Sequence, residues 1–231
     1  MNPFFALLLI MPFFFAASCG NDEKGSIKDM DPESVYFDYK IWGEESSDII
    51  TVKLQYRFGD ENGESILLEG PSKVELDGEV LEADSAKLTG VYYEVQKPVT
   101  IFSGEHTITF TDFRQKKYRE TFTFQPVTLT KPVPASIKRG DLVFEFTGLS
   151  SGDLVRVLMT DTSFSNEEIN RVDSVKNGRI IIAKEELMGL SNGPIHLEII
   201  KEYGREVKNG TKVGGRLSIF YGLRREFILE D

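Results

Sequence analysis

The feature that most constrains this chain is a period of two. In "IITVKLQYRF", Ile50, Val52, Leu54, Tyr56 and Phe58 fall on one face, with Lys53, Gln55 and Arg57 opposite. Side chains of an extended strand alternate between its two faces, so this pattern predicts a half-buried antiparallel strand. "VYFDYKI" repeats it, placing Val35, Phe37, Tyr39 and Ile41 inward. Asn62-Gly63 and Asp77-Gly78 are tight-turn dipeptides, because both residues tolerate positive φ. With "LTGVYYEV", "EHTITFTD" and "YRETFTFQPV", about seven short strands are predicted before residue 128. Short strands with turns every 8–12 residues point to an all-β sandwich.

"TLTKPVPASIKRGD" follows, with Pro132 and Pro134 favouring extended chain, and a domain boundary is placed there. Strands then resume in "DLVFEFTG", "DLVRVLMTD", "RIIIA", "IHLEIIKEY", "GRLSIFYG" and "REFILE", with one helical turn in "KEELMGL". The expected organisation is 1–18 leader, 19–33 tether, 34–127 first sandwich and 128–231 second sandwich. The material for such cores is present: 40% of the 231 residues are hydrophobic, and seventeen are Phe.

The N-terminus differs in kind. "PFFALLLIMPFFFAA" is apolar but short for a membrane-spanning helix, which needs ~20 residues, and Pro12 interrupts it. A short apolar run followed by small residues is the pattern of an export leader. No Lys or Arg precedes the run, so a retained N-terminal anchor stays open as the alternative. Cys19 is the sole cysteine, which excludes an internal disulfide and a Cys-ligated zinc site.

"AASC", residues 16–19, resembles the lipobox of bacterial lipoproteins, with Phe15 where leucine is usual. The resemblance covers about the first 24 residues. It implies cleavage between Ser18 and Cys19, and acyl chains on Cys19 that hold the protein to a membrane. Acylation by two or more chains anchors stably, since each buried CH₂ contributes ~0.8 kcal/mol. Gly20 at the next position implies the outer membrane. Asp22 and Glu23 resemble the export signal of Bacteroidota surface lipoproteins, which implies display at the cell surface. An ordinary solvated tether facing the periplasm is the alternative. Residues 20–32 lack apolar periodicity and read as linker. The unit "RIIIAKEELMGLSNGPIHLEII" resembles Ig-like modules of such lipoproteins, so two tandem Ig-like antiparallel β-sandwiches are expected.

Chemistry is sparse. The formal charge of −10 argues against binding nucleic acid or anionic lipid head groups, because phosphate binding needs concentrated Lys and Arg. No P-loop, dinucleotide fingerprint or nucleophile elbow occurs. Of two histidines, His106 is expected inward at a strand start and His196 outward, in different halves. Asp60, Asn62 and Glu64 alternate in "GDENGE" without the twelve-residue spacing of a calcium loop, and a hairpin turn accounts for them. The expectation is therefore no enzyme, cofactor or metal; a spatially assembled carboxylate pair is the remote alternative. Exposed aromatics are the binding candidates: Tyr36, Trp42 and Tyr92 oppose inward neighbours, and such rings stack on sugars or anchor proteins. "FRQKKYRE" (113–120) is the one dense basic stretch and is expected at a hairpin tip, facing solvent, lipid phosphate or an acidic partner. The expected role is a lipid-anchored binding module, with a glycan as one ligand. A structural subunit of an envelope or adhesion assembly is the alternative.

Overall fold

The structure, a computed structural model, describes residues 30–162 and 168–231. The leader, Ser18, Cys19, Asp22 and Glu23 lie outside the described residues. Among those described, no helix is long and apolar enough to cross a membrane.

The first half holds eight strands where about seven were expected: β1 (Val35–Glu44), β2 (Ile49–Phe58), β3 (Lys73–Leu76), β4 (Glu79–Val80), β5 (Ala83–Ala86), β6 (Gly90–Pro98), β7 (Gly104–Thr111) and β8 (Lys117–Phe124). One layer runs β5-β6-β2-β1, the other β4-β3-β7-β8. Sequential strands 1, 2, 6 and 5 facing 3, 7 and 8 reproduce the ABED/CFG arrangement of an immunoglobulin sandwich, with β4 added at one edge. The β3–β4 turn uses Asp77 at φ 51° and Gly78 at φ 87°, the paired positive values of a twist-matched two-residue hairpin. The layers meet through aromatics. Phe110 packs 5.2 Å from Phe37 and 4.7 Å from Tyr56, and Tyr118 lies 5.7 Å from Phe37. Phe58, expected inward, is exposed because it ends the strand, where the chain turns away into the loop that follows.

The second half holds β9 (Thr128–Leu129), β10 (Ser136–Lys138), β11 (Leu142–Thr147), β12 (Leu154–Asp161), β13 (Ile169–Ser174), β14 (Arg179–Ile182), α1 (Lys184–Leu187), β15 (Gly193–Glu206) and β16 (Gly215–Glu230). The layers are β13-β12-β15-β16, with β10 alongside β16, and β14-β11-β9. This is again an immunoglobulin order, with β15 and β16 in the places of the last hairpin. Aliphatic side chains fill it: Val155, Val157, Met159, Ile195, Leu197, Ile199 and Leu223 are all buried. The proline stretch where a domain boundary was expected contributes short β10, which pairs in parallel with β16, Ser136 opposite Ile228.

One expectation needs correction. "GRLSIFYG" and "REFILE" form a single strand of sixteen residues, β16. Its second part belongs to the second sandwich. Its first part pairs in parallel with β1, from Phe37 opposite Gly215 to Glu44 opposite Gly222. One continuous sheet therefore runs through both halves. Gly215 makes the pairing close: a Cβ there would lie 2.5 Å from the Phe37 carbonyl oxygen. Arg225 occupies an inward position between Leu223 and Phe227, where Glu45 of the β1–β2 turn pairs with it at 2.6 Å.

Candidate functional site

Tyr36, Trp42 and Tyr92 share the outward face of the continuous sheet, but they do not form one cluster. Tyr36 and Trp42 stand six residues apart on β1, roughly 20 Å along the strand. Tyr92 lies two strands away from β1, on β6. Its ring is covered by Lys53, whose Nζ sits 3.7 Å from the centroid, and its hydroxyl donates to Asp84 at 3.2 Å. Partial burial and neighbouring acids raise the pKa of both Tyr36 and Tyr92, so both phenols remain neutral hydrogen-bond donors. Trp42 has the partner that sequence reading missed: Phe220 stands opposite it in the β1–β16 register. Each is 38% exposed. Arg224, beyond them, bridges Glu44 at 3.2 Å and Glu198 at 3.0 Å.

A second region lies on the inner side, where the sandwiches meet. A cleft of about 680 Å³ opens between the β8 edge (Thr121–Gln125), the β11–β12 loop (Gly148–Asp153) and the middle of β15. Alternation places Lys201, Tyr203 and Arg205 of β15 toward it, and Tyr221 and Ile219 of β16 in register beside the first two. Phe124 meets Tyr221 edge-on at 5.8 Å and closes the floor. Tyr203 is 44% exposed at the rim.

Two of the three cations lining the cleft, Lys201 and Arg205, are held by built-in partners. Lys201 Nζ pairs with Asp153 at 3.3 Å and donates to the Gly148 carbonyl at 3.1 Å. Arg205 pairs with Glu120, a carboxylate only 2% exposed, and donates to the Thr121 carbonyl at 2.7 Å. Glu120 also accepts the Lys208 backbone N–H at 2.8 Å. Asn209 donates to the Arg119 carbonyl at 2.9 Å. The open edge of β8 is thus partly capped by the β15–β16 hairpin, as sheet edges commonly are. Fixed donors, acceptors and one exposed ring in a cleft of this size suit recognition of an extended polar ligand.

The histidines take structural places. His106 Nδ1 lies 2.7 Å from Asp77 and Nε2 lies 2.8 Å from the Phe102 carbonyl, with the ring stacked on Phe102 at 3.8 Å. His196 is exposed and pairs with Glu226 at 3.1 Å. Asp60 accepts the Asn62 backbone N–H at 2.8 Å, a turn-forming bond. Among the described residues, no three His, Cys, Asp or Glu side chains converge as a metal site.

No protein-family model matches the chain. No curated protein matches either. Among solved structures, the DIP-gamma IG1+IG2 pair is 10% identical over 85% of this chain and 95% of its own, at a TM-score of 0.24. Trypsin-activated alpha-2-macroglobulin from Escherichia coli is 12% identical over 86% of this chain and 16% of its own, at 0.29. The Bacteroides ovatus mixed-linkage glucan utilization locus SGBP-B, in complex with a mixed-linkage heptasaccharide, is 10% identical over 93% of this chain and 70% of its own, at 0.23. Likeness this distant has no bearing on what this chain binds. The immunoglobulin assignment stands on the strand orders above.

Proposed function

We propose that this protein is a non-enzymatic binding module, held at the bacterial outer membrane by acyl chains on Cys19. Its ligand site is the cleft between the two sandwiches, and an oligosaccharide is the ligand class that fits it. The observation that carries this reading is the exposed ring of Tyr203 above a row of fixed polar groups, Lys201, Asp153 and Arg205. Aromatic rings bind the apolar faces of sugars, while fixed polar groups read the hydroxyls. Glycan-array screening followed by calorimetry tests it. Tyr203→Ala is expected to weaken binding at least tenfold, and Trp42→Ala to leave it within about twofold. The reverse pattern moves the site to the outward face. No binding to any glycan removes the oligosaccharide reading.

A second reading, a subunit of an envelope or adhesion assembly, is favoured by Trp42 and Phe220. Two large exposed rings side by side on a sheet face suit a protein contact better than a sugar groove. Recovery of a stoichiometric partner that is lost in Phe220→Ser supports it.

A further inference from the structure

The most concentrated positive charge in this acidic protein gathers where the described chain begins. The β7–β8 tip carries Arg114, Lys116 and Lys117, with Arg119 just inside β8. The β15–β16 connection adds Lys208 and Lys212 at the same end. Contacts show the three segments together: Asn209 reaches the Arg119 carbonyl, the Lys208 N–H reaches Glu120, and the Lys212 N–H reaches Glu33 at 3.1 Å. Glu33 belongs to the entering chain and also binds Lys116 Nζ at 2.8 Å.

Three of the nearby acids are engaged, while Asp31, Asp60, Glu61 and Glu206 at the same end are exposed and form no ion pair among the described residues. Asp112 is buried and accepts the Arg114 and Lys116 backbone N–H groups at 2.8 and 2.9 Å. Glu120 is paired with Arg205, and Glu33 with Lys116. Arg114, Lys117, Arg119, Lys208 and Lys212 are exposed and form no ion pair among the described residues. Five unpaired cations on two adjoining turns make those turns locally basic in a chain of net charge −10, with Glu206 the unpaired acid nearest them in sequence.

Position gives those turns their partner. Residues 1–29 join the fold at Met30, beside Glu33. From Cys19 to Met30 the chain reaches at most about 40 Å even fully extended. The opposite end of the molecule lies about 50 Å away, the length of β16. Whatever membrane holds Cys19 therefore meets the basic end first. We infer that this end is a docking surface for anionic lipid phosphates, seating the module upright with its second sandwich pointing away. The inference rests on the anchored reading of Cys19.

The test uses the full chain recovered from membranes and reconstituted in vesicles of pure phosphatidylcholine or of phosphatidylcholine with 30% phosphatidylglycerol. An impermeant amine reagent is then applied, and each lysine is read by mass spectrometry. Docking predicts at least threefold slower labelling of Lys117, Lys208 and Lys212 on the anionic vesicles, relative to Lys131 and Lys184 in the second half. The protection disappears in 0.5 M salt, on neutral vesicles, and in Arg114→Glu/Lys117→Glu, whose thermal melt is unchanged. Equal labelling on both vesicle types overturns the inference. So does equal protection without vesicles, which assigns the cover to the acidic segment around Asp22 and Glu23. The anchor is scored separately. If the chain is retained on neutral vesicles no better than Cys19→Ala, anchoring fails, and docking is then decided by salt-sensitive protection on anionic vesicles supplied in excess.

Discussion

The two sandwiches repeat one strand order with different contents. The first is filled by aromatics: Phe37, Tyr39, Tyr56, Phe110 and Phe124 are its largest fully buried side chains. The second is filled mostly by aliphatics from β12, β14, β15 and β16, with Phe144 and Phe146 of β11 and Phe227 of β16 alongside them. They also differ in self-sufficiency. The second closes its sheet with its own last hairpin. The first leaves β1 at an edge, and that same hairpin, extended past its own core, covers it. An exposed edge invites pairing with other chains, so lending β16 to β1 protects the first sandwich and fixes it to the second. Burial in the first half thus depends on residues nearly two hundred positions away, while burial in the second does not.

Because of this asymmetry, damage on either side should travel differently. The largest effect is expected for Tyr56→Ala, which removes a fully buried ring touching Phe37, Phe110 and Tyr93. Large aromatic-to-alanine losses cost about 4 kcal/mol. Chemical denaturation should show the first half unfolding early, with second-half amides still protected from exchange. A loss of protection spread evenly over both halves would show that the continuous sheet makes them one cooperative unit.

Arg205→Ala comes next. It belongs to the second half's hairpin, but its loss is felt in the first, where Glu120 would remain buried without its cation. Stranding a buried charge costs about 3 kcal/mol. Glu120→Gln in the same background should restore much of the loss, which a purely steric role for Arg205 would not allow. Gly215→Ala is smaller, about 2 kcal/mol, because the new methyl forces the β1–β16 backbones apart. Amide exchange should accelerate along Phe37–Glu44 and leave Val155–Met159 unaffected.

Much of each sandwich was legible residue by residue, and their junction was not. Alternation fixed the inward face of β1 and that of β2 as far as Tyr56, and the Asp77-Gly78 turn followed from its φ requirements. Alternation says which face a residue occupies, not which strand lies beside it, so the parallel partnership of β1 and β16 left no local trace. Arg225 hid the continuity of β16. A charged residue at an inward position looks like a strand end, although here the strand runs on and Glu45 pairs with the charge. The outward aromatics were readable for the same reason that the face was. Phe220 and the cleft were not, since the cleft joins segments near residues 122, 150, 203 and 220, and only the fold brings those together. β13 was missed because "INRVDS" carries too few apolar residues to display its period.

The smallest effect concerns how the entering chain is tied to both halves at once. Glu33 accepts from Lys116 Nζ, the Tyr118 hydroxyl at 3.1 Å and the Lys212 backbone N–H. The Lys116 contact, ahead of the others, holds its carboxyl below the ordinary carboxylate range against the opposing effect of desolvation. A carboxyl with a lowered folded value contributes stability that is fully present above its unfolded value. That stability is lost as pH falls through the folded one. The group is partly exposed and screened by water, so the contribution is only about 0.5 kcal/mol. Stability should therefore be flat from pH 7 to about 5 as far as this group is concerned. Below that, the difference between the parent and Glu33→Gln should shrink toward zero. Because Lys212 belongs to the hairpin that covers β1, exchange at Val35 and Tyr36 should rise in Glu33→Gln at pH 7 to the level that the parent reaches only in acid. If the two proteins keep a constant difference down to pH 3, Glu33 acts through shape rather than charge, and the hairpin alone secures the edge.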